Sequence, residues 1–160
     1  MKRLVLLRHA KSFWEWDLDD INRPLTPKGV RRIVQMSELP NHPFHTVEQV
    51  FSSPANRALH TSVLMMRHAG IPLSKLAVVS DLYTFHASAV LDFLYSLPES
   101  LSQLILVGHN PAFTEVATEL SGTAVGHLST AAWAEIEFSN ATWSQLPKGN
   151  IRLGNPKQLL

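Results

Sequence analysis

The stretch LVLLRHAKS, Leu4–Ser12, decides the fold. Leu4, Val5, Leu6 and Leu7 form an unbroken aliphatic run, which suits a strand covered on both faces better than an alternating surface strand. The run stops abruptly at Arg8 and His9. In open α/β sheets ligands gather beyond the carboxyl ends of the strands, so a guanidinium and an imidazole at that point are placed to meet an anion. A solvated strand end is the plain alternative, and the dipeptide alone does not separate the two.

Working outward, short apolar runs alternate with amphipathic ones. RPLTPKGVRRIVQMSEL predicts a helix with Thr26 as N-cap, Pro27 at the first helical position, and Val30, Ile33, Val34 and Met36 or Ser37 facing inward. QVFSSP reads as a strand ending at Ser52 or Ser53, followed by a helix from Pro54 that Gly70 closes. LAVVS, ASAVLDFLYSL, LILVGHN and PAFTEVATELSG repeat the alternation, the last closed by Gly122. AAWAEIEF and IRLGNP then predict an antiparallel pair near the end of the chain, the second at the sheet edge. The expected fold is α/β: one domain over residues 1–160, three layers, with a mostly parallel central sheet flanked by helices and an antiparallel strand near the C-terminus.

Bulk composition narrows the function classes. A hydrophobic fraction of 45% with 17% charged residues describes a globular domain. Net charge is +1, so no overall field argues for nucleic acid or an anionic membrane, and any attraction for anions is local. The chain has no cysteine, which removes thiolate nucleophiles and thiolate metal sites. The apolar run ending at Leu7 is short for a secretory signal, and no segment reaches the length of a membrane span, so a cytoplasmic location is expected.

Two further strand-to-helix junctions, Ser52–Pro54 and Gly108–Pro111, place a polar residue before a proline at a helix start, a local design suited to anions. Arg57 stands in the first turn after one, and His109 ends the strand before the other. Three strand ends thus offer Arg8, His9, Arg57 and His109 to one place. Arginine forks onto phosphate oxygens and stays charged. Histidine attacks phosphorus through one ring nitrogen when a hydrogen bond on the other fixes its tautomer, which makes His9 the expected nucleophile and His109 a donor to the transferring phosphoryl group.

LVLLRHAKS, SSPANRALHTS and LVGHNP, in this order, resemble the signature of the histidine phosphatase superfamily, with its phosphoglycerate mutase-like fold. NRPLTPKG, SDLYTFHASAVLDFL and HLSTAAWAEIEF are similar to its short SixA-type branch of phosphohistidine phosphatases. The resemblance implies a phosphate pocket of Arg8, Arg57 and His109 around His9, which becomes transiently phosphorylated, with no metal or other cofactor. Implied partners are a protein carrying phosphohistidine or a small phosphorylated metabolite. Ala10 stands where many members have glycine. Glu15 falls where larger members use an asparagine on the phosphate, and a carboxylate would repel that group, so Ser12 or backbone is expected there instead.

Because acids of the family often follow the third strand, the resemblance implies Asp81 as proton donor, an N-terminal turn residue being the plain alternative, with Asp20 second because Arg23 offers it a simple loop ion pair. His42, His45, His68 and His127 are expected at the surface or in caps. His60 and His86 are expected no nearer than the pocket border. Trp14, Trp16 and Phe85 would suit a small-molecule phosphomonoesterase by stacking on its substrate. A non-catalytic phosphate-binding module, or a zinc hydrolase using His9, His109 and Asp81, are the other readings; two arginines beside the histidines oppose a dication.

Overall fold

The computed structural model describes residues 1–14 and 17–159, so Glu15 and Trp16 lie outside the described residues. Strands β1 (Lys2–Arg8), β2 (Gln49–Ser52), β3 (Leu76–Val78), β4 (Gln103–Gly108), β5 (Trp133–Phe138) and β6 (Asn150–Gly154) form one sheet in the order β3-β2-β4-β1-β5-β6. The β1–β4, β4–β2 and β2–β3 pairs are parallel, and β5 runs antiparallel to both β1 and β6. Helices α1 (Pro27–Glu38), α2 (Asn56–Ala69), α3 (Ala87–Tyr95) and α4 (Ala112–Ser121) complete the three expected layers.

The opening aliphatic run is the middle of the sandwich. All four of its residues are fully buried, with Leu4 and Leu6 in the core under α3 and α4, and Val5 and Leu7 in the core under α1 and α2. Period-two alternation between two apolar layers is what a run without polar residues encodes.

Thr26 caps α1 as expected, its Oγ1 accepting from Gly29 N at 2.9 Å. The buried face of α1 differs in part: Gly29, Ile33, Met36 and Ser37 are buried, whereas Val30 and Val34 are half-buried. Gly29 is there because the Lys11 carbonyl lies against it; a Cβ would stand 2.2 Å from that oxygen. Helix α2 begins at Asn56 rather than at Pro54, because Ser53 Oγ accepts from Ala55 N at 3.2 Å and holds a turn before the helix. Gly70 and Gly122 close α2 and α4 in the left-handed conformation. Among the described residues no helix is long and apolar enough to cross a membrane.

Candidate active site

Parallel pairing puts the ends of β1, β2 and β4 side by side, with Arg8 opposite Gly108 in register. The chain leaves β1 and turns at once: His9 N donates to Gly108 O at 3.1 Å, and Ala10 N donates to Thr61 Oγ1 at 2.9 Å. Thr61, fully buried one turn beyond Arg57, donates from its own hydroxyl to Arg57 O at 2.7 Å. The loop that carries His9 is thereby fastened to the helix that carries Arg57.

The imidazole of His9 is 6% exposed and held at both nitrogens. Nδ1 lies 2.7 Å from Ala10 O, a carbonyl that only accepts, so Nδ1 carries the proton. Nε2 accepts from Arg57 Nε at 3.3 Å and therefore presents a lone pair. Burial first, then the nearby His109, Arg57 and Arg8, push its pKa down to about 3, against the opposing pull of the Ala10 carbonyl. His9 is neutral at physiological pH.

His109 stands beside it with ring centroids 5.3 Å apart and the planes tilted by 56°. Its Nε2 meets Ser53 Oγ at 2.8 Å, and its buried Nδ1 has no hydrogen-bond partner. Burial and then the Arg57 charge push this pKa too down to about 3. Tyr83 and Phe85 lean edge-on against the ring at 5.5 and 5.6 Å. Arg8, half-buried, donates from Nη1 to Leu128 O at 3.0 Å and to His127 Nε2 at 3.3 Å, while its buried Nε is unpartnered.

The fully buried Arg57 links the His9 imidazole to a carboxylate at the mouth. Besides the Nε contact with His9, Nη1 donates to Asp20 O at 2.6 Å and Nη2 to Asp20 Oδ2 at 3.0 Å. Tyr83 hydroxyl donates to the same Oδ2 at 2.5 Å, and Arg23 Nε lies 3.3 Å from Oδ1. Partial burial works to raise the pKa of Asp20, but Tyr83 and Arg57 outweigh it and hold the carboxyl below the usual range.

The four expected residues Arg8, His9, Arg57 and His109 therefore converge, and Asp81 does not join them. A 3-10 turn over Ser80–Leu82 sends Leu82 into the core and leaves Asp81 exposed. It lines a cavity of about 300 Å³ with Ala89, Asp92, Phe93 and Ser96 and makes no hydrogen bond or ion pair with the four. The carboxylate that reaches the site is Asp20, and its ion pair with Arg23 is one of several contacts rather than its whole role. Ser12, 4% exposed, bridges Leu25. The side chains of His42, His45, His60, His68 and His86 make no hydrogen bond or ion pair with the four: His42 Nδ1 accepts from Phe44 N, and His68 pairs with Glu38. His127 is the exception, exposed yet touching Arg8. Among the described residues no group of three or more His, Asp or Glu side chains is arranged to hold a metal.

Residues 4–82 match the histidine phosphatase superfamily (branch 1). An uncharacterized chloroplastic protein of Arabidopsis thaliana is 28% identical over 156 residues, covering 90% of this chain and 70% of its own. Among solved structures, the protein histidine phosphatase SixA complexed with tungstate superposes with a TM-score of 0.83 at 22% identity, covering 99% of both chains. A mycobacterial glucosyl-3-phosphoglycerate phosphatase superposes at 0.71 and 15% identity, over 97% of this chain and 99% of that one. At these identities the structural likeness is one of fold.

Proposed function

We propose that this histidine-type phosphatase works through a covalent intermediate on His9 Nε2, with Arg8, Arg57 and His109 binding the phosphoryl group. The observation that carries the reading is the locked tautomer: Nδ1–H is committed to Ala10 O, which leaves the Nε2 lone pair beside a guanidinium. In the first step that lone pair forms a bond to phosphorus, and the bond from phosphorus to the leaving atom breaks, its electron pair departing with the leaving group. In the second, water attacks phosphorus, the P–Nε2 bond breaks, its electrons return to Nε2, and the water proton leaves with phosphate or solvent. The unpartnered Arg8 Nε and His109 Nδ1 are the donors available to the equatorial oxygens in both steps. Guanidiniums supply the positive charge, so the reading needs no metal.

Asp20, held ionised, has no proton to give a leaving group. That favours substrates whose leaving group needs none from the enzyme. A protein phosphohistidine is one, because its ring departs as neutral imidazole once the distal nitrogen is protonated. This agrees with the name of the SixA relative, whose tungstate is an oxyanion of phosphate-like shape. The sugar-acid phosphatase relative keeps a small-molecule phosphomonoester as the second substrate class.

The test is chemical trapping. Quenching without acid during turnover of a labelled substrate is expected to leave label on the protein that is acid-labile and alkali-stable. It should disappear in His9→Ala, and it should both form and decay slowly in His109→Ala. Activity is expected to survive chelation. Label that persists without His9, or activity lost to a chelator and restored by zinc, overturns the reading.

A further inference from the structure

We infer that Asp20 is a specificity-determining residue: its carboxylate, fixed at the pocket mouth on Arg57, admits phosphoryl donors with neutral or cationic leaving groups and turns away those carrying a second anion beside the phosphoryl group. The inference rests on the phosphatase reading above and concerns a residue whose role that reading leaves open.

One carboxylate is held here by more than an ion pair requires. Oδ2 accepts from Arg57 Nη2 and Tyr83 hydroxyl, Oδ1 faces Arg23 Nε, and the Asp20 backbone carbonyl takes Arg57 Nη1. Arg23 is itself fixed, donating to Phe13 O at 3.1 Å and lying 3.6 Å from the Trp14 ring centroid. The carboxylate is nonetheless 43% exposed, so it faces both the pocket and solvent. Two short chains join it to the reacting groups: through Arg57 to His9 Nε2, and through Tyr83 to the ring of His109. A phosphoryl group drawn to Arg8 and Arg57 therefore brings whatever lies beyond its phosphorus close to a fixed negative charge. The Arg57 and Arg23 guanidiniums beside it draw anions and the Asp20 carboxylate offsets them: like charges brought together at a partly desolvated site repel more than in water, so a leaving group bearing a carboxylate or second phosphate is penalised relative to the same site without the carboxylate.

The experiment compares the 3-carbamoyl, 3-carboxy and 3-aminomethyl derivatives of phenyl phosphate, a series of closely similar size whose substituents are neutral, anionic and cationic. In the native protein the kcat/KM ratio of cationic to anionic substrate is expected on the order of tenfold, about 1.4 kcal/mol, and should shrink at high salt. Asp20→Asn should flatten the series to within about twofold by removing the anion, whereas Asp20→Glu and Tyr83→Phe, which keep it, should preserve the order. An unchanged ratio in Asp20→Asn overturns the inference. So does a ratio in the native protein that salt does not move, an observation that needs no variant to fold. Calorimetric binding of the same three compounds reads the charge order whether or not they are hydrolysed. Absence of turnover of a phosphohistidine peptide as well as of these three esters would thus sink the phosphatase reading, while absence of a charge order in binding would sink this one.

Discussion

The two ends of β1 hold the same kinds of charge and treat them in opposite ways. At the amino end Lys2 and Arg3 are 6% and 7% exposed, and their donors are met. Arg3 donates from Nε to Glu135 Oε2 at 2.8 Å and from Nη1 to His45 O at 3.2 Å, and its Nη2 reaches both Glu135 and Pro43 O. Glu135 takes Arg152 as well at 2.9 Å, and Lys2 Nζ donates to Glu99 O and Leu101 O, each at 2.7 Å. At the carboxyl end His9, Arg57 and His109 are as deeply buried and Arg8 is half-buried, yet Arg8 Nε and His109 Nδ1 are buried with nothing to bond. Buried polar atoms in native proteins are satisfied in the great majority of cases, so the unmet ones carry the information. A count of buried charges would rank the two ends alike; what separates them is the bonding capacity left over.

Four measurements would break or sharpen that contrast. Glu135→Ala removes the partner of a buried guanidinium and is expected to cost about 3–5 kcal/mol of unfolding free energy, read by urea titration. The kcat of the fraction that remains folded should not change, because that end only holds the structure. Arg57→Lys should do the reverse. An ammonium cannot fork, so a loss of about 2–4 kcal/mol of transition-state stabilisation is expected in kcat/KM, with the stability little altered. A near-normal rate would remove Arg57 from the pocket.

Acid should also distinguish the ends. His9 and His109 have native pKa values near 3, below the ordinary 6.5, so between these values the unfolded chain binds protons that the native site refuses. Their contribution is present above pH 6.5 and is lost as pH falls from there towards 3, at up to about 1.4 kcal/mol per pH unit for each histidine. Glu135 has its carboxyl held below the usual range, largely by Arg152 and Arg3 against the effect of burial, so its share is lost only at more acid pH. Urea midpoints from pH 7 to 5 should therefore fall in the native protein and fall less steeply in His109→Asn. Equal slopes would mean that the imidazoles titrate normally. The smallest effect is expected for Asp81→Asn, within about 0.5 kcal/mol in both stability and kcat/KM, since Asp81 is exposed and bonds to none of the four residues.

These outcomes follow the line between what local sequence encodes and what it does not. Strand β1 was legible because four adjacent aliphatic residues leave a chain little choice, and Arg8, His9, Arg57 and His109 because each sits at or just beyond a strand end. Thr26, Gly70 and Gly122 marked helix ends through their own backbone chemistry. Asp20, Tyr83, Ser53 and Thr61 were less legible because their contacts at the site join distant segments. Tyr83 meets Asp20 across 63 positions of sequence, and Ser53 meets His109 across 56. Asp81 misled for the converse reason: it lies at the right place along the chain, but one 3-10 turn decides which neighbour faces the pocket, and it is Tyr83 that does. His127 looked like any loop histidine until the segment before β5 brought it to Arg8.

The central position of β1 also has a consequence in time. The strand that leads into His9 pairs with nothing near it in sequence: its neighbours are β4, from Gln103 onward, and β5, from Trp133 onward. Closing loops of that length precedes any reward from the contacts, which places this topology among the slower folders. While a ribosome is still making the middle of the chain, His9 has no Gly108 carbonyl to hold its loop and no His109 beside it, and remains an ordinary histidine. The held imidazole therefore arrives late, as a property of the finished sheet, and a chain stalled short of β4 carries His9 without its surroundings.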